Sequence, residues 1–151
     1  MMRRLPWIAT VLLVVGLAGC GDALKRVPVR GTITANGAPL DNAAITFMPA
    51  GETSGEGGFG RSDGDGNFVL SEARTGRKAI APGEYRVRVS RLTGPDGTPL
   101  PPAAKPADTP GARESVPREY ASAADTPLKA TVPETGGVVN LEIPAAVLRR
   151  E

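Results

Sequence analysis

Glu84-Tyr85-Arg86-Val87-Arg88-Val89-Ser90-Arg91-Leu92 is the stretch on which the fold turns. Tyr85, Val87 and Val89 fall on one side and Arg86, Arg88 and Ser90 on the other. Successive side chains of a strand leave opposite faces, so an unbroken period of two predicts a half-buried β-strand. The same alternation recurs outward from it. VPVRGTITA (27–35) sets Val27, Val29, Ile33 and Ala35 against Arg30, Thr32 and Thr34, and AAITFMP (43–49) turns Ala43, Ile45 and Phe47 inward. NFVL (67–70) offers Phe68 and Leu70, PLKATV (127–132) offers Leu128, Ala130 and Val132, and VVNLEI (138–143) offers Val139, Leu141 and Ile143. With a short strand near Phe59 to Ser62 the count reaches seven. Each inward side chain contributes on the order of 1.5–3 kcal/mol when buried, enough together for one modest core. Seven short strands with regular turns predict an all-β fold, a seven-stranded antiparallel β-sandwich.

The punctuation between these runs supports that reading. The chain holds 19 Gly and 15 Pro against 3 Phe, 2 Tyr and 1 Trp, a balance that favours turns over long helices. Asn36-Gly37 is a turn dipeptide, closing either a hairpin or a short loop between sheets. Residues 50–67 are glycine-rich and polar, and residues 71–83 read as a loop ending in Pro82-Gly83. From Gly94 to Pro117 lie seven prolines with almost no apolar side chain, so this segment is expected to be a flexible, extended insert, unable to offset its ordering entropy.

The beginning of the chain has a different character. Arg3 and Arg4 precede an apolar run from Trp7 to Ala18, and no acid occurs before Asp22, the layout of a secretory signal. A bilayer-spanning helix needs about 20 predominantly apolar residues, more than this run supplies. Leu17-Ala18-Gly19-Cys20 resembles the bacterial lipobox: a branched apolar residue, two small residues at a peptidase site, then a cysteine. The resemblance implies that residues 1–19 are a signal peptide and that Cys20 is lipidated through its sulfur and becomes the N-terminus. Two or more acyl chains, such as diacylglyceryl plus palmitate, anchor firmly where one holds only marginally. Gly21, where an aspartate would signal inner-membrane retention, implies the outer membrane. Residues 20–26 would then be a lipidated tether.

Arg3 and Arg4 are the only charges before Cys20, so without the leader the formal charge of +2 falls to about zero. No clustered basic surface with stacking aromatics points to nucleic acid. Cys20 is the one cysteine, so no disulfide is available and the core must hold by packing. There is no histidine, which removes imidazole-based triads and metal sites. Gly55-Glu56-Gly57-Gly58-Phe59-Gly60 satisfies GxGxxG but opens no helix and reads as a loop. Asp63-Gly64-Asp65-Gly66-Asn67 begins like a calcium loop, yet Phe68 and Arg74 stand where the motif needs Gly and Glu, so a β-turn is expected. Arg86, Arg88 and Arg91 form a basic stripe, a candidate surface contact or a solvated strand face with partners such as Glu142. No catalytic residue, metal or cofactor is expected.

Taken in order, Val29-Arg30-Gly31-Thr32-Ile33, Asn36-Gly37-Ala38-Pro39-Leu40, Ala43-Ala44-Ile45-Thr46-Phe47, Ser62-Asp63 through Gly66-Asn67-Phe68, and Pro82-Gly83-Glu84-Tyr85-Arg86-Val87 resemble the carboxypeptidase regulatory-like domain. That family is a transthyretin-like (prealbumin-like, Ig-like) sandwich. The likeness covers residues 27–90. Val116-Pro117-Arg118-Glu119-Tyr120 and Thr126-Pro127-Leu128 are similar to a continuation found in short bacterial lipoproteins. Ser62 departs from the usual threonine. Gly31 would relieve a strand, while Asp63, Gly66 and Phe68 would form the middle turn and its core anchor. The resemblance implies one domain over residues 27–144, with 94–117 as its insert and 145–151 as a tail. It implies a folding or interaction module with no catalytic residues of its own, and the expected function is a membrane-anchored interaction or structural module that binds a protein or glycan through sheet edges or loops. The alternatives are a passive envelope component without a specific ligand, or an accessory to a hydrolase.

Overall fold

The computed structural model describes residues 24–102 and 104–144; the readings placed on Leu17, Ala18, Gly19, Cys20 and the 145–151 tail lie outside them. The described chain is all-β. Its strands are β1 (Val29–Ala35), β2 (Ala38–Pro39), β3 (Ala44–Ala50), β4 (Gly58–Arg61), β5 (Asn67–Val69) and β6 (Ser71–Glu72). They continue with β7 (Gly83–Ser90), β8 (Leu92–Thr93), β9 (Arg113–Glu114), β10 (Lys129–Val132), β11 (Gly137–Val138) and β12 (Leu141–Ile143). A single helical turn, α1 (Arg118–Ala121), packs on β7.

Two five-stranded sheets carry the architecture. One centres on β1, flanked by β11 and β12 on one side and by β2 and β5 on the other; the second runs β10-β7-β3-β4-β6. The alternation in β7 is realised in full, with Tyr85, Val87 and Val89 buried and Glu84, Arg86 and Arg88 exposed. Val29, Ile33, Phe68, Leu141 and Ile143 from the first sheet and Ile45, Phe47, Tyr85, Val87, Val89 and Val132 from the second form one hydrophobic core. Two sheets sharing one core are compatible with a β-sandwich.

Two expectations need correction. Twelve described strands replace seven, because β2, β6, β8, β9 and β11 are two residues long and too short to carry an alternation, and VVNLEI is divided at Val139-Asn140. There Thr32 N–H bonds the Asn140 side-chain oxygen at 3.2 Å in place of a backbone carbonyl. The sheets are also not purely antiparallel: β1 runs parallel to β11 and β12, with Val29 opposite Gly137 and Ile33 opposite Leu141. A parallel neighbour requires a crossover, not a hairpin. The chain supplies it by leaving the β7 sheet at Val132 and entering the β1 sheet after the Pro133–Gly136 turn.

Asn36-Gly37 closes the β1–β2 hairpin with φ of 56° and 74°, and the chain then passes to the other sheet at β3. Ser62 joins that passage to β4. Its buried hydroxyl donates to Leu40 O at 2.6 Å and accepts from Ala43 N at 2.9 Å. Ser62→Ala is expected to cost about 1–3 kcal/mol by leaving both backbone groups unpaired, whereas Ser62→Thr keeps the hydroxyl. Chemical denaturation of the two variants checks this; equal midpoints would remove the role.

The proline-rich insert starts and ends at one carboxylate. Glu114 accepts from Ser90 Oγ at 2.6 Å, Arg91 N at 2.6 Å and Val116 N at 3.2 Å, and β8 pairs with β9. Val116 and Tyr120 beyond it enter the core, and Asn42 Nδ2 donates to Leu100 O at 2.7 Å. The insert therefore meets the fold at the end where β1 finishes and β3 starts.

Candidate functional site

The middle turn is built by Asp63. Its Oδ1 accepts from the backbone N–H of Asp65 at 3.0 Å and of Asn67 at 2.8 Å, and its carbonyl accepts from Gly66 N. Gly66 has φ of 76°, and a Cβ there would lie 2.5 Å from Ile33 O. Phe68 follows into the core opposite Gly31. The Asn67 amide, with further help from the Asn67 side chain and Asp65, holds the Asp63 carboxyl below its usual range. That carboxylate is committed to turn amides. Among the described residues, no group of His, Cys, Asp and Glu is arranged to hold a metal ion.

The arginine stripe is divided. Arg88 Nε donates to Ala121 O at 2.7 Å and Arg86 Nη1 to Ala124 O at 3.2 Å, so both hold α1 and the turn after it against the sheet. Arg91 turns away to Asp41, with a 2.7 Å ion pair and a 2.8 Å bond to its carbonyl. Glu142 is not their cross-strand partner: it pairs with Thr34 in the other sheet. Lys129 and Met48 flank Arg86, and Thr46 flanks Arg88.

A more open surface lies on the outer face of the β1 sheet. Arg30 stands in register between Val138 of β11 and Val69 of β5. Those two valines are 58% and 50% exposed, and with Phe59 they are the large apolar side chains left exposed among the described residues. Thr32, Arg61, Asp63 and Asn67 extend the face into a shallow groove of about 540 Å³. Thr32 Oγ1 bonds Asn140 Oδ1 at 3.0 Å, and Arg61 Nη1 bonds Asn42, leaving the exposed Arg30 as the groove's central cation. A guanidinium between two apolar side chains suits contact with a partner surface. The sequence signal for this face is slight: Val138-Val139 is an apolar doublet of which a strand can bury one, and Val69 is the outward apolar member of NFVL.

The chain-entry end is fixed by ion pairs that no sequence pattern announces. Arg26 Nε meets Glu72 Oε1 at 2.6 Å, with both side chains largely buried, and Lys25 meets Glu134 at 2.8 Å in the open. The Thr75 hydroxyl also donates to Glu72. Thr75 first and Arg26 second hold the Glu72 carboxyl below its usual range; Thr98 does the same for Asp96. All three depressed carboxyls, at 63, 72 and 96, are ionised more readily folded than unfolded. Their contribution is therefore complete above the unfolded carboxylate range and lost as pH falls through and below it. Melting temperature is expected to fall from about pH 6 to about pH 3, and Glu72→Gln to flatten that slope, measured by thermal melts across pH. A pH-independent wild-type melt would exclude the coupling.

No protein-family model matches the chain, and neither a curated protein nor a solved structure matches it. Among the described residues, no helix is long and apolar enough to cross a membrane.

Proposed function

We propose that this chain is an exported lipoprotein, acylated at Cys20 and held at the outer membrane, whose β domain is a transthyretin-like sandwich of the carboxypeptidase regulatory-like kind. The domain acts as a non-catalytic interaction module and contacts a protein or glycan. The observation that carries this reading is the Val138-Arg30-Val69 row, an exposed apolar pair about a cation on the outer face of a sheet. Apolar side chains clustered around an arginine are the composition of contact surfaces. Support also comes from the sequence, where histidine is absent and the one cysteine sits in a lipobox-like context.

Arg86 and Arg88 are not the first residues to test, because they hold α1. An envelope pull-down with the acylated chain is expected to retain a stoichiometric partner. Val69→Ser combined with Val138→Ser should reduce its recovery by roughly tenfold. No partner above that of the double variant would favour the passive envelope component. Mass spectrometry of the mature N-terminus should show a diacylated or triacylated Cys20, and a free thiol there would refute the anchor.

A further inference from the structure

The chain enters the domain at the same place where a short basic turn projects. Val27 N and O both bond Ile80, and Arg26 binds Glu72, so residues 24–27 run directly beside the turn 73–78. That turn is closed by Gly76 N to Glu72 O at 2.9 Å and Glu72 N to Arg77 O at 2.7 Å, and all six of its residues are exposed. Three of them are Arg74, Arg77 and Lys78. Arg74 approaches Glu56 only at 3.9 Å, with both side chains about 60% exposed, a separation worth little in water. Among the acids of this end, Glu72 is spent on Arg26 and Thr75 and Glu134 on Lys25, while Glu52 and Glu84 line a neighbouring depression with Leu24 and Lys25 that includes none of residues 73–78.

We propose that this turn is a headgroup-contacting surface: Arg74, Arg77 and Lys78 lie against anionic phospholipid headgroups of the leaflet that holds the Cys20 acyl chains. The inference rests on acylation of Cys20. Four peptide units separate Cys20 from Leu24 and can span at most about 14 Å. Leu24 itself lies in the same surface depression as Arg26, Glu72 and Arg74. An acyl group at Cys20 therefore holds Leu24, which shares that depression with Arg74 of the turn, within about two Debye lengths of the headgroups, about 8 Å each at physiological salt. At that range each basic side chain is attracted to an anionic leaflet. The contact would orient the domain with the proline-rich insert, which meets the fold where β1 ends, presented away from the bilayer plane.

The test uses the mature acylated chain on two kinds of vesicle, phosphatidylcholine alone and phosphatidylcholine with about a third phosphatidylglycerol. Flotation first reports whether the chain is anchored. Trypsin is then added, and initial cleavage after Arg74, Arg77 and Lys78 is compared by mass spectrometry with cleavage after Arg118, which lies outside this end. On anionic vesicles the turn should be cut about tenfold more slowly relative to Arg118 than on zwitterionic ones. Near 1 M salt, where the screening length is about 3 Å, the difference should vanish. Equal relative rates on floated chain would overturn the headgroup contact and leave the anchor standing. A chain that does not float would overturn both.

Discussion

Gly31→Ala is expected to destabilise the domain by on the order of 3 kcal/mol or more, the upper end of what overpacking a strand costs. The reason is contact rather than conformation. A Cβ at position 31 would lie 1.8 Å from Val139 O, 2.7 Å from its carbonyl carbon and 2.9 Å from the Phe68 ring. A ring can move, but the Val139 backbone is fixed by its N–H bond to Arg30 O at 2.8 Å and by the core positions of Val139 and Leu141. Relief requires β1 to part from β12, which is the parallel seam joining the first long strand to the last. Thermal melting followed by circular dichroism should show a fall of roughly ten degrees or more, against almost none for Thr34→Ala on the outer face of the same strand. A Gly31→Ala melt within about two degrees of wild type would show the seam to be slack.

Phe47→Ala should be comparably damaging, by about 3–5 kcal/mol, from lost transfer energy and an unfilled cavity. Phe47 is 1% exposed and sits between the two sheets. Its ring is 6.4 Å from that of Phe68 on the β1 sheet and 5.6 Å from that of Tyr85 on its own, both tilted. Tyr85 cannot move in to compensate, because its hydroxyl donates to Ala81 O at 2.6 Å inside the core. Against a typical domain stability of about 5–15 kcal/mol, this one truncation consumes a large share. Denaturant titration is the measurement, with Phe59→Ala as the comparison. Phe59 is 50% exposed and its loss should cost far less; similar losses at both positions would contradict the inter-sheet role of Phe47.

Much of this core was legible as alternation. Val29, Ile33, Ile45, Phe47, Phe68, Tyr85, Val87, Val89, Leu141 and Ile143 were all expected inward, and all are buried. Leu128 and Ala130 were expected with them and are only partly buried, because β10 is a sheet edge. Ile80, Leu40 and Val116 are buried from loops and Tyr120 from the single turn α1, where no period exists to mark them. Ile80 reaches the core because Val27 pairs with it across 53 positions of chain. The Asp63-Gly66-Phe68 turn was readable because its bonds run over five residues.

The sequence by itself determined which faces of the long strands turn inward, where the tight turns fall, and that the chain is all-β, because these depend on side chains two to five residues apart. Only the tertiary structure decided that the last strands lie parallel to the first, that Arg86 and Arg88 are occupied with α1, and that Arg30 stands between two bare valines. Those facts depend on residues tens of positions apart becoming neighbours, and pairing at that distance is selected by the free energy of the whole core rather than by any local pattern.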